Sequence, residues 1–139
     1  MTGEEARRRF VHARVARLAT CDRAGRPHLV PLVFAVEGDT LFSAVDHKPK
    51  RTTALRRLAN IAENPQVALL VDEFSDDWDQ LWWARADGYA RLLDPGSDEA
   101  ERAWGRLASR YAQYQQRSPA GAVLAVTVQR WSGWSAASS

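Results

Sequence analysis

Short segments of strand-forming residues follow one another closely along this chain, and their order restricts the fold more than any other feature of the sequence. VARLAT (15–20) and PHLVPLVFAV (27–36) flank the turn CDRAGR, in which Gly25 provides the backbone freedom that a tight turn needs. EGD (37–39) then separates the second segment from TLFSAV (40–45). Segments joined by such short turns pair antiparallel. The sequence therefore predicts a hairpin that extends into a three-stranded meander.

Three further segments have apolar residues at helical spacing, and three more are of strand type. The first helix is predicted over 4–14, the second follows Thr52 and carries Leu55, Leu58, Ala59 and Ala62 on one face, and the third covers 98–117. QVALLVD (66–72), QLWWARADGYARLL (80–93) and GAVLAVTVQRW (121–131) complete six predicted strands. This order favours a mainly β fold, a six-stranded antiparallel barrel with about three helices, over a doubly wound parallel sheet.

Composition excludes several classes of protein. With 139 residues, 45% hydrophobic and 26% charged, the chain has the size and balance of one globular domain over 1–139, with a disordered tail at about 135–139. We expect a cytoplasmic protein, because no stretch is long and apolar enough for a membrane span or a signal peptide. A net charge of +2 argues against nucleic-acid binding. The single Cys21 rules out an internal disulfide, and the three histidines lack metal-ligand spacing, so no metal is predicted.

The segment AVDHKPKRTTALRRL contains the two lysines of the chain, Lys48 and Lys50, immediately before a predicted helix. A helix N-terminus attracts anions, and Lys50 and Arg51 add positive charge while Thr52 offers a hydroxyl donor. These residues are suited to binding a phosphate group. An ordinary solvated basic loop with a good helix cap explains them equally well, so the sequence leaves both interpretations open.

Prolines and tryptophans suggest where a flat ligand could lie. Pro31 cannot donate a ladder hydrogen bond, which places it at a sheet edge, at a bulge or where something other than a strand approaches. The chain has six tryptophans, and strand alternation puts Trp82 and Trp83 on opposite faces, so one of them is expected to face a partner or a ligand rather than the core.

Taken together, the motifs D-x-K-P-K-R-T, N-I-x-x-N-P-x-V and W-W-x-R-x-D-G resemble those of the split β-barrel, FMN-binding-like flavin and deazaflavin oxidoreductases related to pyridoxamine 5′-phosphate oxidase. Residues 10–130 are similar most of all to the probable coenzyme F-420-dependent enzymes of that superfamily. The resemblance implies a homodimer with its cofactor sites at the subunit interface. The residues that it implies for the cofactor are Lys48, Lys50, Arg51 and Thr52 at the phosphate, Ser43, Ala44 and Val45 along the third strand, and His28, Val30, Pro31 and Leu32 beside the ring.

The resemblance also implies contributions from the partner chain and an activity. Trp83 of the partner, with Trp131 or Trp134, would complete the pocket, and Arg56 with Arg57 would line an exit groove for the acidic tail of F-420. The implied activity is hydride transfer from reduced F-420 to a small unsaturated or conjugated acceptor. FMN-dependent oxidoreduction, or non-catalytic binding of a flavin, haem or bilin, stays open as an alternative. Only Arg130 supplies a positive charge near the C-terminus, where the pyridoxamine phosphate oxidases have more, which argues against vitamin B6 oxidation.

Overall fold

The computed structural model describes residues 1–44, 51–114 and 122–137, with residues 51–55 described by their backbone alone. Three helices, seven strands and two 3-10 turns make up this part of the chain. The helices are α1 (Gly3–His12), α2 (Arg51–Glu63) and α3 (Asp98–Arg110), and the 3-10 turns are Trp78–Gln80 and Ala112–Tyr114. The strands are β1 (Ala16–Cys21), β2 (Pro27–Leu32), β3 (Ala35–Glu37), β4 (Thr40–Ala44), β5 (Gln66–Glu73), β6 (Trp82–Leu93) and β7 (Val123–Ser135).

The strands form one antiparallel sheet in the order β2-β1-β5-β6-β7-β4-β3. This confirms the mainly β class, the antiparallel pairing and the three helices predicted from the sequence. The predicted number of six strands was wrong by one, because the segment PHLVPLVFAV is divided between β2 and β3. These two strands lie at opposite edges of the sheet. The chain therefore crosses from one edge to the other within two residues, and this crossing closes the split barrel.

The crossing at Val33 and Phe34 is stabilised by side chains in place of a strand partner. The Phe34 N–H donates to the Tyr111 hydroxyl at 3.3 Å, and its carbonyl oxygen accepts from Arg110 Nη1 at 2.9 Å. The Val33 carbonyl accepts from the Ser43 hydroxyl at 2.8 Å. Buried backbone groups need such partners, so the break in the ladder is tolerated only because these side chains reach it.

Helix α1 packs across β6 and β7 and closes one side of the core. The Phe10 ring lies 5.1 Å from the ring of Phe34 and 5.3 Å from that of Trp131, measured between centroids. Small residues on the inner face of β6, such as Ala84 and Ala86, are fully buried and leave room for the helix. The core thus depends on the Phe10 ring of the helix packing over a strand of small residues.

Helix α2 buries a different face from the one that its apolar periodicity predicts. Asn60 and Ile61 are buried at 5% exposure, whereas Ala59 and Ala62 of the predicted face are exposed and Leu58 is half-buried. Asn60 Nδ2 donates to Thr20 Oγ1 of β1 at 3.1 Å. A buried polar pair therefore fixes the rotation of the helix, and part of its apolar face is left uncovered.

No helix in the described part of the chain is both long enough and apolar enough to cross a membrane.

Candidate functional site

Two buried nitrogen atoms mark the region between the edge strand β2 and helix α2. His28 Nδ1 and Arg57 Nε are shielded from solvent, and neither has a hydrogen-bond partner among the described residues. A buried polar atom without a partner costs about 1–3 kcal/mol of stability, so proteins rarely retain one without a reason. A bound ligand that accepts or donates these hydrogen bonds would supply that reason.

Register and helix spacing place these two side chains in one neighbourhood. His28 lies opposite Thr20 across the β1–β2 ladder, and Thr20 accepts a hydrogen bond from Asn60 of α2. Arg57 lies three residues before Asn60, and residues three apart share a face of a helix. Asn60 therefore faces β1 at the residue paired with His28, and Arg57 lies on the same side of α2 one turn earlier.

Burial also changes the electrostatics of the Arg57 guanidinium. Removal from water lowers the pKa of Arg57 from its ordinary value, and the nearby Tyr114 acts in the opposite direction. Arginine stays charged even so, because its ordinary pKa is far above neutrality. A positive charge held partly out of water interacts strongly with an anion, which makes this region suitable for a phosphate or a carboxylate.

The four residues predicted beside the cofactor ring divide between the two faces of β2. Val30 and Leu32 are 9% and 7% exposed and belong to the main hydrophobic core, whereas Pro31 lies on the opposite, outer face. His28 is half-buried on the same side as Val30. The side chains of Val30 and Leu32 are thus committed to packing, and at these positions only the backbone along the strand edge is open to a ligand.

The residues predicted to bind the phosphate fall largely beyond what the structure describes. Val45, Lys48 and Lys50 lie outside the described residues. Arg51 and Thr52 are the first two residues of α2, described by backbone only, and Arg56 is exposed on the same helix.

The two predicted contacts at the end of β4 are placed close to the crossing. Ser43 is 2% exposed, and its hydroxyl is occupied by the carbonyl of Val33. Ala44 is half-buried and packs with Val33 and Tyr114 around a small core cluster. Since Tyr114 also influences Arg57, Ala44 is near the region of the unpartnered guanidinium, while the Ser43 side chain is used to hold the fold.

The tryptophans predicted to complete a partner's pocket lie on different faces of the sheet. Trp83 pairs with Trp134 across the β6–β7 ladder on the outer face, and the Arg85 guanidinium lies 5.8 Å from its ring. Trp131 instead packs against Phe10 of α1. Its indole Nε1 donates to Asp39 Oδ1, between β3 and β4, at 3.0 Å. Trp82 packs against the core beneath Arg9, which confirms that Trp82 and Trp83 occupy opposite faces. Trp131 is therefore a structural residue within this protomer, and Trp83 with Trp134 is open to another molecule.

The outer face of the sheet is unusually apolar for a surface. Leu29, Leu70, Tyr89 and Trp134 are between 37% and 66% exposed, and all point away from the core. Next to Trp83, a cleft of about 370 Å³ adds Phe74 to this surface. Exposed apolar patches of this kind mark surfaces that contact other molecules.

Sequence reasoning assigned Arg57 to an open groove and missed its burial. The apolar periodicity of α2 points to the side of Leu58 and Ala59, and the face that packs is set by the contact between Asn60 and Thr20. No local signal marks this contact, because the periodicity of α2 does not show that Asn60 is buried against Thr20 of β1.

Among the described residues, no three histidine, cysteine, aspartate or glutamate side chains are grouped so that they could hold a metal ion.

Comparison with known families gives one match over nearly the whole chain. The family model described as pyridoxamine 5′-phosphate oxidase matches residues 2–135. No curated protein matches the chain.

Solved structures with the same fold cover almost all of the chain at low sequence identity. A FAD-binding protein from Mesorhizobium loti is 21% identical with a TM-score of 0.72, and covers 96% of this chain and 94% of its own. The heme storage protein HutZ from Vibrio cholerae is 19% identical with a TM-score of 0.71, with coverage of 97% and 95%. The conserved hypothetical protein Rv2991 from Mycobacterium tuberculosis is 21% identical with a TM-score of 0.73, with coverage of 98% and 86%. At these identities the likeness establishes the fold alone.

Proposed function

The chain belongs to the pyridoxamine 5′-phosphate oxidase family, and from that premise we propose that it is an oxidoreductase dependent on coenzyme F-420. It would use the reduced deazaflavin to transfer hydride to a small unsaturated or conjugated acceptor. The family supports a flavin-type cofactor, and the motif around Lys48 and Lys50 supports the deazaflavin. As a member of this class, the protein is expected in the cytoplasm.

One observation carries this proposal. The buried nitrogens His28 Nδ1 and Arg57 Nε have no hydrogen-bond partner among the described residues. Arg57 would contribute a charge-assisted hydrogen bond to a phosphate oxygen, together with Lys48, Lys50, Arg51 and Thr52 from the segment before it. The residues present therefore fit a phosphate-bearing cofactor. His28 would donate or accept a hydrogen bond at the polar edge of the ring.

The edge of β2 would hold the ring itself. In the described parts of the chain, β2 pairs with β1 alone, so the backbone groups along its other side are available to a ligand. Pro31 has no N–H and cannot recruit another strand there, which protects the edge from unwanted pairing. The flat surface of a tricyclic ring would then lie along the strand between His28 and Pro31.

We also propose a homodimer formed through the outer face of the sheet. Leu29, Leu70 and Tyr89 are exposed on this face, and a second copy would remove them from water. Trp83 and Trp134 lie on the same face and would close the partner's cofactor pocket. The broad apolar area of these rings would exclude water from the site of hydride transfer.

When bound, the cofactor supplies the hydride chemistry, and the protein contributes position and environment. Arg57 and the basic segment would fix the phosphate, β2 would fix the plane of the ring, and Trp83 of the partner would cover the open side. Such positioning lowers the barrier by holding the reacting atoms close together. An acceptor of small size would enter beside the ring.

A titration with three cofactors tests the proposal. F-420, FMN and haem are added separately, and tryptophan fluorescence quenching gives each dissociation constant. F-420 is expected to bind most tightly, and Lys50→Ala is expected to weaken its binding by about tenfold, since a charge-assisted contact contributes about 1.5–3 kcal/mol. The matched control is Arg106→Ala, because Arg106 pairs with Glu37 on a different part of the surface.

The other outcomes point to the alternatives. Tightest binding of FMN would indicate a flavin-dependent oxidoreductase. Tightest binding of haem would indicate a binding protein, the role that the name of HutZ states for that protein. Weak and equal quenching by all three, unchanged in Lys50→Ala, would contradict the cofactor assignment altogether.

A further inference from the structure

A second cleft, which shares Asp72, Glu73 and Trp82 with the cleft beside Trp83, is lined by four arginines. It lies between the C-terminal half of α1, the start of β1, the end of β5 and the start of β6, and has a volume of about 680 Å³. Its basic residues on the α1 and β1 side are Arg8, Arg9, His12, Arg14 and Arg17.

Contacts with neighbouring side chains and carbonyl groups hold three of these guanidinium groups, those of Arg9, Arg14 and Arg17, in place. Arg9 Nε donates to Glu5 Oε2 at 2.8 Å, and its guanidinium lies 5.3 Å from the ring of Trp82. Arg14 lies 4.7 Å from the ring of Tyr111, and its Nη2 donates to the carbonyl of Arg110 at 3.1 Å.

Arg17 Nη1 lies 3.7 Å from Asp72 Oδ1, across the cleft. Each of these groups has five N–H donors, so donors remain free after these contacts are made. Restricted guanidinium groups lose less conformational entropy when they bind a ligand.

The balance of charge in the cleft favours an anion. Asp72 and Glu73 form the opposite wall and Glu5 pairs with Arg8 and Arg9, so the four arginines face three carboxylates. Ala13, Val15 and Trp82 add apolar surface between the charges. An ion with a single charge would gain little here in competition with Asp72 and Glu73, whereas a molecule with several anionic groups could contact more than one guanidinium at once.

We propose that this arginine cleft binds a small oligoanion, a molecule that carries two or more carboxylate or phosphate groups. None of its residues is among those assigned to the cofactor, so this second site goes beyond the proposed function and does not depend on it. Arginine binds carboxylates and phosphates through the same charge-assisted hydrogen bonds, and separate titrations with citrate and tripolyphosphate distinguish the two classes.

Isothermal titration calorimetry with the full chain, without any cofactor, tests the site. Citrate and tripolyphosphate are titrated separately at low salt. The double variant Arg8→Gln/Arg17→Gln is compared with Arg102→Gln/Arg106→Gln, which removes the same charge from the pair of arginines that contacts Glu37 elsewhere. Arg8 and Arg17 are 68% and 51% exposed, so the first variant is expected to fold.

The expected result is binding of at least one probe, weakened about tenfold or more in Arg8→Gln/Arg17→Gln and less than about twofold in the control. Equal losses in both variants would show a diffuse surface potential instead of a site, and no binding of either probe to the unmodified chain would overturn the proposal.

NMR of the unmodified chain gives a second readout that needs no variant. The indole N–H resonance of Trp82 should shift when the probe is added, while that of the exposed Trp78 should not. An unchanged Trp82 resonance would also overturn the proposal. Because no cofactor is present in these experiments, a negative result leaves the cofactor assignment untouched.

Discussion

The hydroxyl of Tyr111 lies within hydrogen-bond distance of both backbone polar groups of Phe34, 3.3 Å from its nitrogen and 3.0 Å from its oxygen. The same hydroxyl is 2.9 Å from the carbonyl oxygen of Arg14. One side chain at the end of α3 thus joins the strand crossing to the link between α1 and β1. This hydroxyl stabilises the point where the chain leaves one edge of the sheet for the other.

Replacing Tyr111 with phenylalanine should therefore destabilise the fold without changing its shape. The change leaves the Phe34 N–H buried without its partner, which costs about 1–3 kcal/mol. Urea denaturation measures the loss. Tyr89→Phe is the matched control, because the Tyr89 hydroxyl is on an exposed residue and lies 3.5 Å from Gln66, and it should change stability by less than about 0.5 kcal/mol. Equal stability of the two variants would contradict the role given to Tyr111.

Two glycines should respond to alanine in opposite directions. A Cβ at Gly88 would overlap the carbonyl oxygen of Thr127, next to the bulge in the β6–β7 ladder, so Gly88→Ala should destabilise by about 1–3 kcal/mol or more. A Cβ at Gly105 meets nothing within 4 Å, and Gly105 lies inside α3, so Gly105→Ala should stabilise by about 0.5–1 kcal/mol. Thermal unfolding of both variants checks the pair, and a tolerated Gly88→Ala would show that the strands are not this close.

The ion pair between Arg91 and Glu99 should make part of the stability depend on pH. Hydrogen bonds from the Arg91 guanidinium, at 2.7 and 2.6 Å, lower the pKa of Glu99 from its ordinary value. A carboxylate with a lowered pKa in the folded state stabilises the protein above its ordinary pKa, about 4.3, and this contribution is lost as the pH falls through the lowered value. Since the pair is partly exposed, the contribution is about 0.2–1 kcal/mol.

Glu99→Gln should accordingly cost this amount at pH 7 and less at pH 3, as measured by urea denaturation at both values. Glu101→Gln is the control, because Glu101 lies in the same first turn of α3. An equal cost for both variants at pH 7 would mean that the helix terminus, and not Arg91, stabilises the carboxylate.

The order of elements was predictable from the sequence, and the division of one strand was not. Val33 and Phe34 continue the apolar alternation of β2, so no local signal marks the crossing. What permits it lies far along the chain, in Arg110 and Tyr111, whose side chains replace the missing ladder hydrogen bonds. Tertiary contacts of this kind cannot be read from periodicity.

The strands and the helix that carry the predicted site residues are present, but the orientation of their side chains could not be predicted from the sequence. Trp131 and Trp134 were treated as alternatives, yet they are three residues apart in one strand and so point to opposite faces, one into the fold and one out of it. Arg57 was placed in an open groove, because nothing in the local pattern shows that Asn60 turns that side of α2 inward. The residues that were missed are those whose orientation is fixed by contacts between distant segments.

The central claim is that Arg57 keeps a buried charge in order to hold a cofactor, and Arg57→Met tests it most directly. Methionine fills a similar space without a buried polar nitrogen, so the variant should be as stable as the parent or more stable, by up to about 1 kcal/mol. Its dissociation constant for F-420, measured by fluorescence titration, should rise about tenfold or more, while Arg106→Met should leave it unchanged. An Arg57→Met variant that binds F-420 as tightly as the parent chain would contradict the claim.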